Sequence, residues 1–479
     1  MKNRCRLIYI LFVLTMAIQG CVSVGPDYKR SQSRDIVPIN FSVNSISGDK
    51  KQNDAYISST WWELYQDQVL NDLVSKALGN NSDIKIAIAR VEEADAYLQE
   101  IGAALFPALD LKANATRSRI SKVSVIPVFP GLNPVRQIYG FSIGTAFELD
   151  FWGKVRRSKE AASARALSTY YARDTVYLSL ASLVSKNYLI LRGLDAQLSV
   201  SRENLRNHKE TLNITRQRLE QGFVSALDVY QAETAYSNIA AKISDLSRQR
   251  AICEHQLAVL TGVLDLKLEE GNIKNLPIPP IPPAGLPSSL LEARPDVRQA
   301  EEQVVSATAN IGVAKASLFP SIMLTTSFGR ESITLGNLVK SAANIWTAGI
   351  NLNLPVFDAG RLLARLDQAN AQQKQALASY ESSIRIAFRE VNDALISVRE
   401  NSEQETALRA SEDSAKKVLK ISVNRYKLGY SSYLEVLDAQ RLHNNAALAV
   451  IQSRQNRLVA TIDLFKALGG GWEPELLGH

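Results

Sequence analysis

With 479 residues, 46% of them apolar and 22% charged, the chain has the length of two or three globular domains and the composition of a folded protein. Its formal charge is +7, but Lys2, Arg4 and Arg6 lie in a segment read below as cleaved, and no basic run accompanies them, which excludes nucleic acid as the expected partner. Of three cysteines, Cys5 lies in the segment read as cleaved and Cys21 is read below as acylated, so Cys253 stands alone and a disulfide framework is excluded.

Lys2, Arg4 and Arg6 precede an apolar stretch, 7–17, too short to span a bilayer as a helix. This is the pattern of a signal peptide over residues 1–20. It ends in Gly20-Cys21, which resembles a bacterial lipobox, so Cys21 is expected to become the lipid-modified N-terminus. Val22 follows it, not the Asp associated with inner-membrane retention. A polar stretch over 21–56, carrying GPDYKR, reads as a lipid-anchored linker to the folded body.

From residue 57 the chain is written twice. A first repeat, 57–275, and a second, 291–470, are joined by a Pro-rich connector, 276–290, which is expected to be extended and semi-rigid. A short tail, 471–479, follows. Each repeat opens with a helical pattern ending in Phe-Pro, at Phe106-Pro107 and at Phe319-Pro320. Period-2 alternation follows, predicting β-hairpins at about 108–150 and about 321–355. Tyr139, Phe141, Ile143, Phe147 and Leu149 alternate with small or polar residues, as do Trp346, Ala348, Ile350 and Leu352. A soluble sandwich would alternate equally well, but no second layer is available to cover these strands. Strands of about ten residues with aromatic residues toward their ends suit a membrane barrel. Four strands cannot close one, since known barrels begin at about eight, and an open edge in hydrocarbon leaves backbone groups unpaired. Three chains would supply twelve.

The helical parts are long. Leu191, Leu198, Leu205, Leu212 and Leu219 recur every seven residues, with Tyr170, Tyr177 and Val184 before them. Val229, Tyr236, Ile243 and Leu257 return along the next segment. Sustained sevenfold spacing is a coiled-coil seam, and roughly 65 residues at about 1.5 Å each reach about 100 Å. Cys253 falls on the seam and reads as a small buried hydrophobe. In each repeat the long pattern runs into a glycine and out again, predicting helical hairpins with tips near 222 and near 429. Aligned, the tips place Arg218 on Arg425, Gly222 on Gly429, Leu227 on Leu434 and Asp228 on Glu435.

The lipobox with GPDY, the two Phe-Pro strand entries, the paired tips and the terminal ALGGGW together resemble the TolC-like outer-membrane factors, and most closely the OprM- and NodT-type efflux lipoproteins. The resemblance covers essentially the whole mature chain. It implies a mainly α fold with a small membrane β part: a homotrimeric, twelve-stranded barrel continuing into a coiled-coil periplasmic tunnel. It implies a passive exit duct in the outer membrane, anchored through acylated Cys21. The expected partners are a periplasmic adaptor (a membrane fusion protein) and an inner-membrane transporter of the RND type. Carried over position by position, the periplasmic gate falls on Leu434 and Asp438 with Glu435, and an inter-helix latch on Tyr426 and Asp228. The latching Arg of the family falls on Ser431, so that charge is lacking. The Arg-x-x-x-Gly frames that adaptors recognise fall on Arg218/Gly222 and Arg425/Gly429. Around a threefold axis, three Leu434 side chains would form an apolar constriction and three Asp438 carboxylates a cation-favouring ring.

No catalytic constellation is apparent. His208, His255, His443 and His479 are scattered without partners at metal-ligand spacing, and no cofactor motif stands in a supporting context. The chain is read as no enzyme and as binding no cofactor. A type I protein-secretion component and a non-conducting periplasmic coiled-coil scaffold remain the alternatives.

Overall fold

The computed structural model describes residues 23–30, 58–121, 133–281 and 294–471. The signal peptide, Cys21, most of the linker, the later part of the connector and most of the tail lie outside the described residues. In chain order the elements are α1 (Gln68–Asn80), α2 (Ser82–Ala103), β1 (Asp110–Arg119), β2 (Val135–Leu149), α3 (Lys154–Glu220), α4 (Ala226–Thr261), α5 (Pro295–Ala316), β3 (Ser321–Ser332), β4 (Asn344–Asn353), α6 (Arg361–Lys427) and α7 (Tyr433–Ala467). Two compact units form. One comprises Met1–Arg30, Glu92–Ser168 and Ala300–Ser379; the other comprises Ser31–Val91, Thr169–Gln299 and Tyr380–His479. Each unit draws on both sequence repeats, so a repeat is not a structural unit.

The first unit holds one antiparallel sheet in the order β1-β2-β3-β4. Its register puts like with like. Leu111 lies opposite Ile143, Ile143 opposite Phe328, and Phe328 opposite Trp346. Phe147, Leu324 and Ile350 form a second apolar row, and Leu149, Ile322 and Leu352 a third. Intervening rows are mostly small or polar, such as that of Lys112, Ser142 and Gly329, which ends on Ile345. Because successive side chains point to opposite faces, the sheet has one apolar and one polar side. Among the described residues nothing covers the apolar side: Trp346 is 75% exposed and Ile350 71%. The outer edges of β1 and β4 have no strand partner among the described residues. At Gly329 a Cβ would lie 2.2 Å from the Phe141 carbonyl oxygen, so β2 and β3 approach as only glycine allows.

The Phe-Pro strand entry is visible at the start of β3. The Trp152 ring stacks on Phe319 at 4.7 Å, and its Nε1–H donates to the Pro320 carbonyl at 2.8 Å. Beside it, residues 23–30, expected as polar linker, form an ordered strap. The Val24 amide donates to the Trp152 carbonyl, Asp27 pairs with Arg157, and Tyr28 and Arg30 both reach Glu301. Arg157 and Glu301 are buried, so the strap satisfies charges that would otherwise be costly.

In the second unit the sevenfold ladder is the core. Val184, Leu191 and Leu198 of α3 are fully buried, against Leu70 and Val74 of α1, Leu257 of α4 and Ile451, Leu458 and Ile462 of α7. Trp61 stacks on Phe465 at 5.4 Å. Cys253 sits in this core, its thiol donating to the Asn187 carbonyl, and burial pushes its pKa up to about 11. Buried ion clusters tie irregular segments down. Asp195 accepts from Arg192, Arg250 and the Gly271 amide, while Arg250 also donates to the Leu268 carbonyl. Glu405 accepts from Arg409 and Arg457, and neighbouring Arg454 donates to the Leu276 carbonyl at the start of the connector. At 67 residues each, α3 and α6 run about 100 Å at about 1.5 Å per residue. No described helix is long and apolar enough to cross a membrane.

Candidate gate at the hairpin tips

Both tips lie in the second unit, and their backbones are the same. At the end of α3 the Gly222 amide donates to the Leu219 carbonyl and the Phe223 amide to the Arg218 carbonyl. At the end of α6 the Gly429 amide donates to Tyr426 and the Tyr430 amide to Arg425. This is the Schellman arrangement, which ends a helix through one left-handed residue. Gly222 and Gly429 have φ of +77° and +79°, and a Cβ on either would meet nothing within 4 Å. The glycines are therefore required by backbone conformation rather than by space.

Side chains distinguish the tips. Ser225 caps α4 in a complete capping box: its Oγ accepts from the Asp228 amide, and the Asp228 carboxylate accepts from the Ser225 amide at 3.0 Å and hydroxyl at 2.9 Å. Ser432 caps α7 without any side-chain hydrogen bond. Its potential box partner, Glu435, instead pairs with Arg425 at 3.2 Å.

The structure brings some of the expected site residues together and leaves others apart. Arg218 lies over the Tyr426 ring at 4.9 Å, and that ring is 5.8 Å from Tyr433. These aromatic rings adjoin a cluster of Leu212, Val229, Ala232, Ala235, Val436 and Leu437. The Tyr426 hydroxyl is buried with no hydrogen-bond partner, and so are the hydroxyls of Tyr433 and Ser431. Asp228 makes its own cap instead of accepting from Tyr426. Leu434 is 49% exposed beside the buried Val436 and Leu437. Asp438 is exposed, with Arg441 3.9 Å away one turn on.

Other neighbours of this site were not singled out by its motifs. Tyr433 is almost fully buried, and burial, followed by the nearby Tyr426 and Asp228, pushes its phenol up to about 12. In the first repeat its counterpart is Ala226, a mismatch visible in the aligned tips. His208 is 3% exposed; burial and then Arg441 hold it below its ordinary value. Arg441 thus faces both Asp438 and His208. Phe223 and Tyr430, the residues after each tip glycine, are 76% and 75% exposed. Among the described residues no three His, Cys, Asp or Glu side chains converge as a metal-ligand set.

A sheet with one bare apolar face, joined in the same chain to two long helical hairpins, defines an outer-membrane channel subunit, and comparison with known proteins agrees. The outer membrane efflux protein family model matches twice, over residues 73–263 and 286–470, following the internal repeat. The chain belongs to that family, and it is an outer-membrane channel of an efflux pump. It is 33% identical over 457 residues to the probable efflux pump outer membrane protein TtgC of Pseudomonas putida, covering 94% of this chain and 89% of that one. It is 32% identical over 470 residues to the probable outer membrane lipoprotein SilC of Salmonella typhimurium, covering 98% and 99%. Among solved structures, the CmeC outer membrane channel of Campylobacter jejuni superposes with a TM-score of 0.87 at 25% identity, covering 95% of this chain and 96% of that one.

Proposed function

We propose that three copies of the chain close one twelve-stranded barrel and form a passive exit duct, fed by a periplasmic adaptor and an RND-type inner-membrane transporter. One observation carries this: among the described residues the four-stranded sheet has a bare apolar face and two unpaired edges. Such edges are stable in hydrocarbon only when a neighbouring strand pairs them, and closure by identical copies needs cyclic symmetry. The chain performs no chemistry of its own, and the driving energy comes from the transporter. Cys21, acylated, anchors each copy to the membrane.

The second hairpin is the gate. Leu434 and, one turn beyond it, Asp438 lie on the exposed face of α7, away from the buried Tyr433, Val436 and Leu437. Three copies of each about the axis give an apolar constriction and an acidic ring that favours cations at rest. The exposed Phe223 and Tyr430, beside Arg218/Gly222 and Arg425/Gly429, suit docking of the adaptor. In planar bilayers, single-channel conductance of Leu434→Ala and of Asp438→Ala is expected to rise severalfold. Unchanged conductance in both variants would overturn the gate assignment.

A further inference from the structure

At the second tip the groups that the family resemblance assigns to an inter-helix latch are either absent or engaged elsewhere. The Arg position is Ser431, whose buried hydroxyl is itself unpartnered. The Asp228 carboxylate is occupied by Ser225. Arg425 is drawn to Glu435 within its own hairpin. The Tyr426 hydroxyl, buried, makes no hydrogen bond. What does cross from one hairpin to the other is Arg218, in the last turn of α3, whose guanidinium lies 4.9 Å from the centre of the Tyr426 ring in the last turn of α6. Tyr433 holds that ring from another side at 5.8 Å.

We propose that Arg218 is the latch of this channel, holding the tips closed through the face of the Tyr426 ring rather than through its hydroxyl. A cation is attracted by the negative face of an aromatic ring, and Phe presents nearly the same face as Tyr. The hydroxyl therefore contributes nothing to closure, whereas the ring and the guanidinium are both necessary. Arg218 also lies in the frame assigned to adaptor docking, so a docked adaptor that engages its guanidinium withdraws it from Tyr426. Docking and unlatching then become one event. This inference rests on the proposed gate, and the experiment separates the two.

Conductance is measured for the full-length, membrane-assembled protein carrying Tyr426→Phe, Tyr426→Leu, Arg218→Gln, the double variant Arg218→Gln/Tyr426→Leu, and Leu434→Ala. Trimer recovery on native gels establishes that each variant is assembled. A spin-label distance between positions 223 and 430 reports tip separation independently of current. Tyr426→Phe is expected to stay as closed as wild type. Tyr426→Leu and Arg218→Gln should each raise the open population about two- to thirtyfold, the range that such a contact supports. The double variant should open no further than either single one, because both remove the same contact. Opening by Tyr426→Phe equal to that of Tyr426→Leu overturns the proposal in favour of a hydroxyl latch. Wild-type behaviour of Arg218→Gln while Leu434→Ala opens also overturns it and leaves the gate standing. If Leu434→Ala stays closed as well, gate and latch fall together.

Discussion

At the first tip the third helical residue, Asp228, folds back onto its own cap; at the second, Glu435 reaches across the turn to Arg425. The main-chain hydrogen bonds of the two turns are the same, so the backbone does not dictate this choice. Nor does side-chain type, since Ser-x-x-Glu at 432–435 is a better capping box by sequence than Ser-x-x-Asp at 225–228. The difference lies in what each arginine has beside it. Arg218 is taken up by the Tyr426 ring, which leaves Asp228 to its cap. The residue aligned with Tyr426 in the first tip is Leu219, which offers Arg425 no ring, and Arg425 pairs with Glu435 instead. A single position, Leu in one repeat and Tyr in the other, separates a self-contained turn from one that engages its neighbour.

After the gate and latch variants, whose effects on conductance are the largest expected, the comparison is sharpened most by the caps. Ser225→Ala removes a working cap and should destabilise the first tip by about 1 kcal/mol. That speeds hydrogen exchange of the amides at 226–228 about fivefold. Ser432→Ala removes no cap hydrogen bond, so exchange at 433–435 should hardly change. Equal effects would erase the distinction between the tips.

Acid offers a second contrast. His208 and its repeat counterpart Ala415 are both buried. Burial and Arg441 hold the His208 imidazole below its ordinary value of 6.5, so the folded state binds fewer protons than the unfolded one. The neutral side chain's contribution is complete above that value and is lost as pH falls from it toward the folded-state value. Protection of α3 around 208 should therefore drop on acidification from about pH 7.5 to about pH 5.5, more than protection of α6 around 415. His208→Leu should remove the excess; persistence of the excess in that variant would assign the acid response to other groups.

The smallest effect concerns the exposed Arg425–Glu435 pair, worth about 0.5 kcal/mol at this exposure. Glu435→Asp shortens the side chain so that it reaches Ser432 and releases Arg425, which should turn the second cap into a copy of the first. Hydrogen exchange at 433–435 would then slow slightly and respond to Ser432→Ala as the first tip responds to Ser225→Ala.

The fold was legible in the sequence where side-chain period is a direct readout of environment. The alternation of Phe141, Ile143 and Phe147, and of Trp346 and Ile350, becomes the apolar face of the sheet. The sevenfold ladder is buried at Val184, Leu191 and Leu198, but it runs out at Leu219, exposed at the turn where packing against neighbouring helices ends. The strap over 23–30 was not legible, because its partners Trp152, Arg157 and Glu301 lie far along the chain and GPDYKR has a linker's composition. At the site, the tip glycines announce their positive φ. The Arg218–Tyr426 contact does not announce itself, since it joins different hairpins and no local pattern encodes it. Tyr433 was available as a mismatch against Ala226 in the aligned repeats.

The unpaired edges of β1 and β4 have a genetic consequence in the proposed trimer. A copy whose edge strand cannot pair does more than fail alone, because it takes the place of a sound copy in a ring that all three must complete. Such a variant, expressed beside the normal chain, would spoil every channel it enters. Edge-strand lesions should therefore act dominantly, whereas lesions that prevent the chain from reaching the membrane should be recessive.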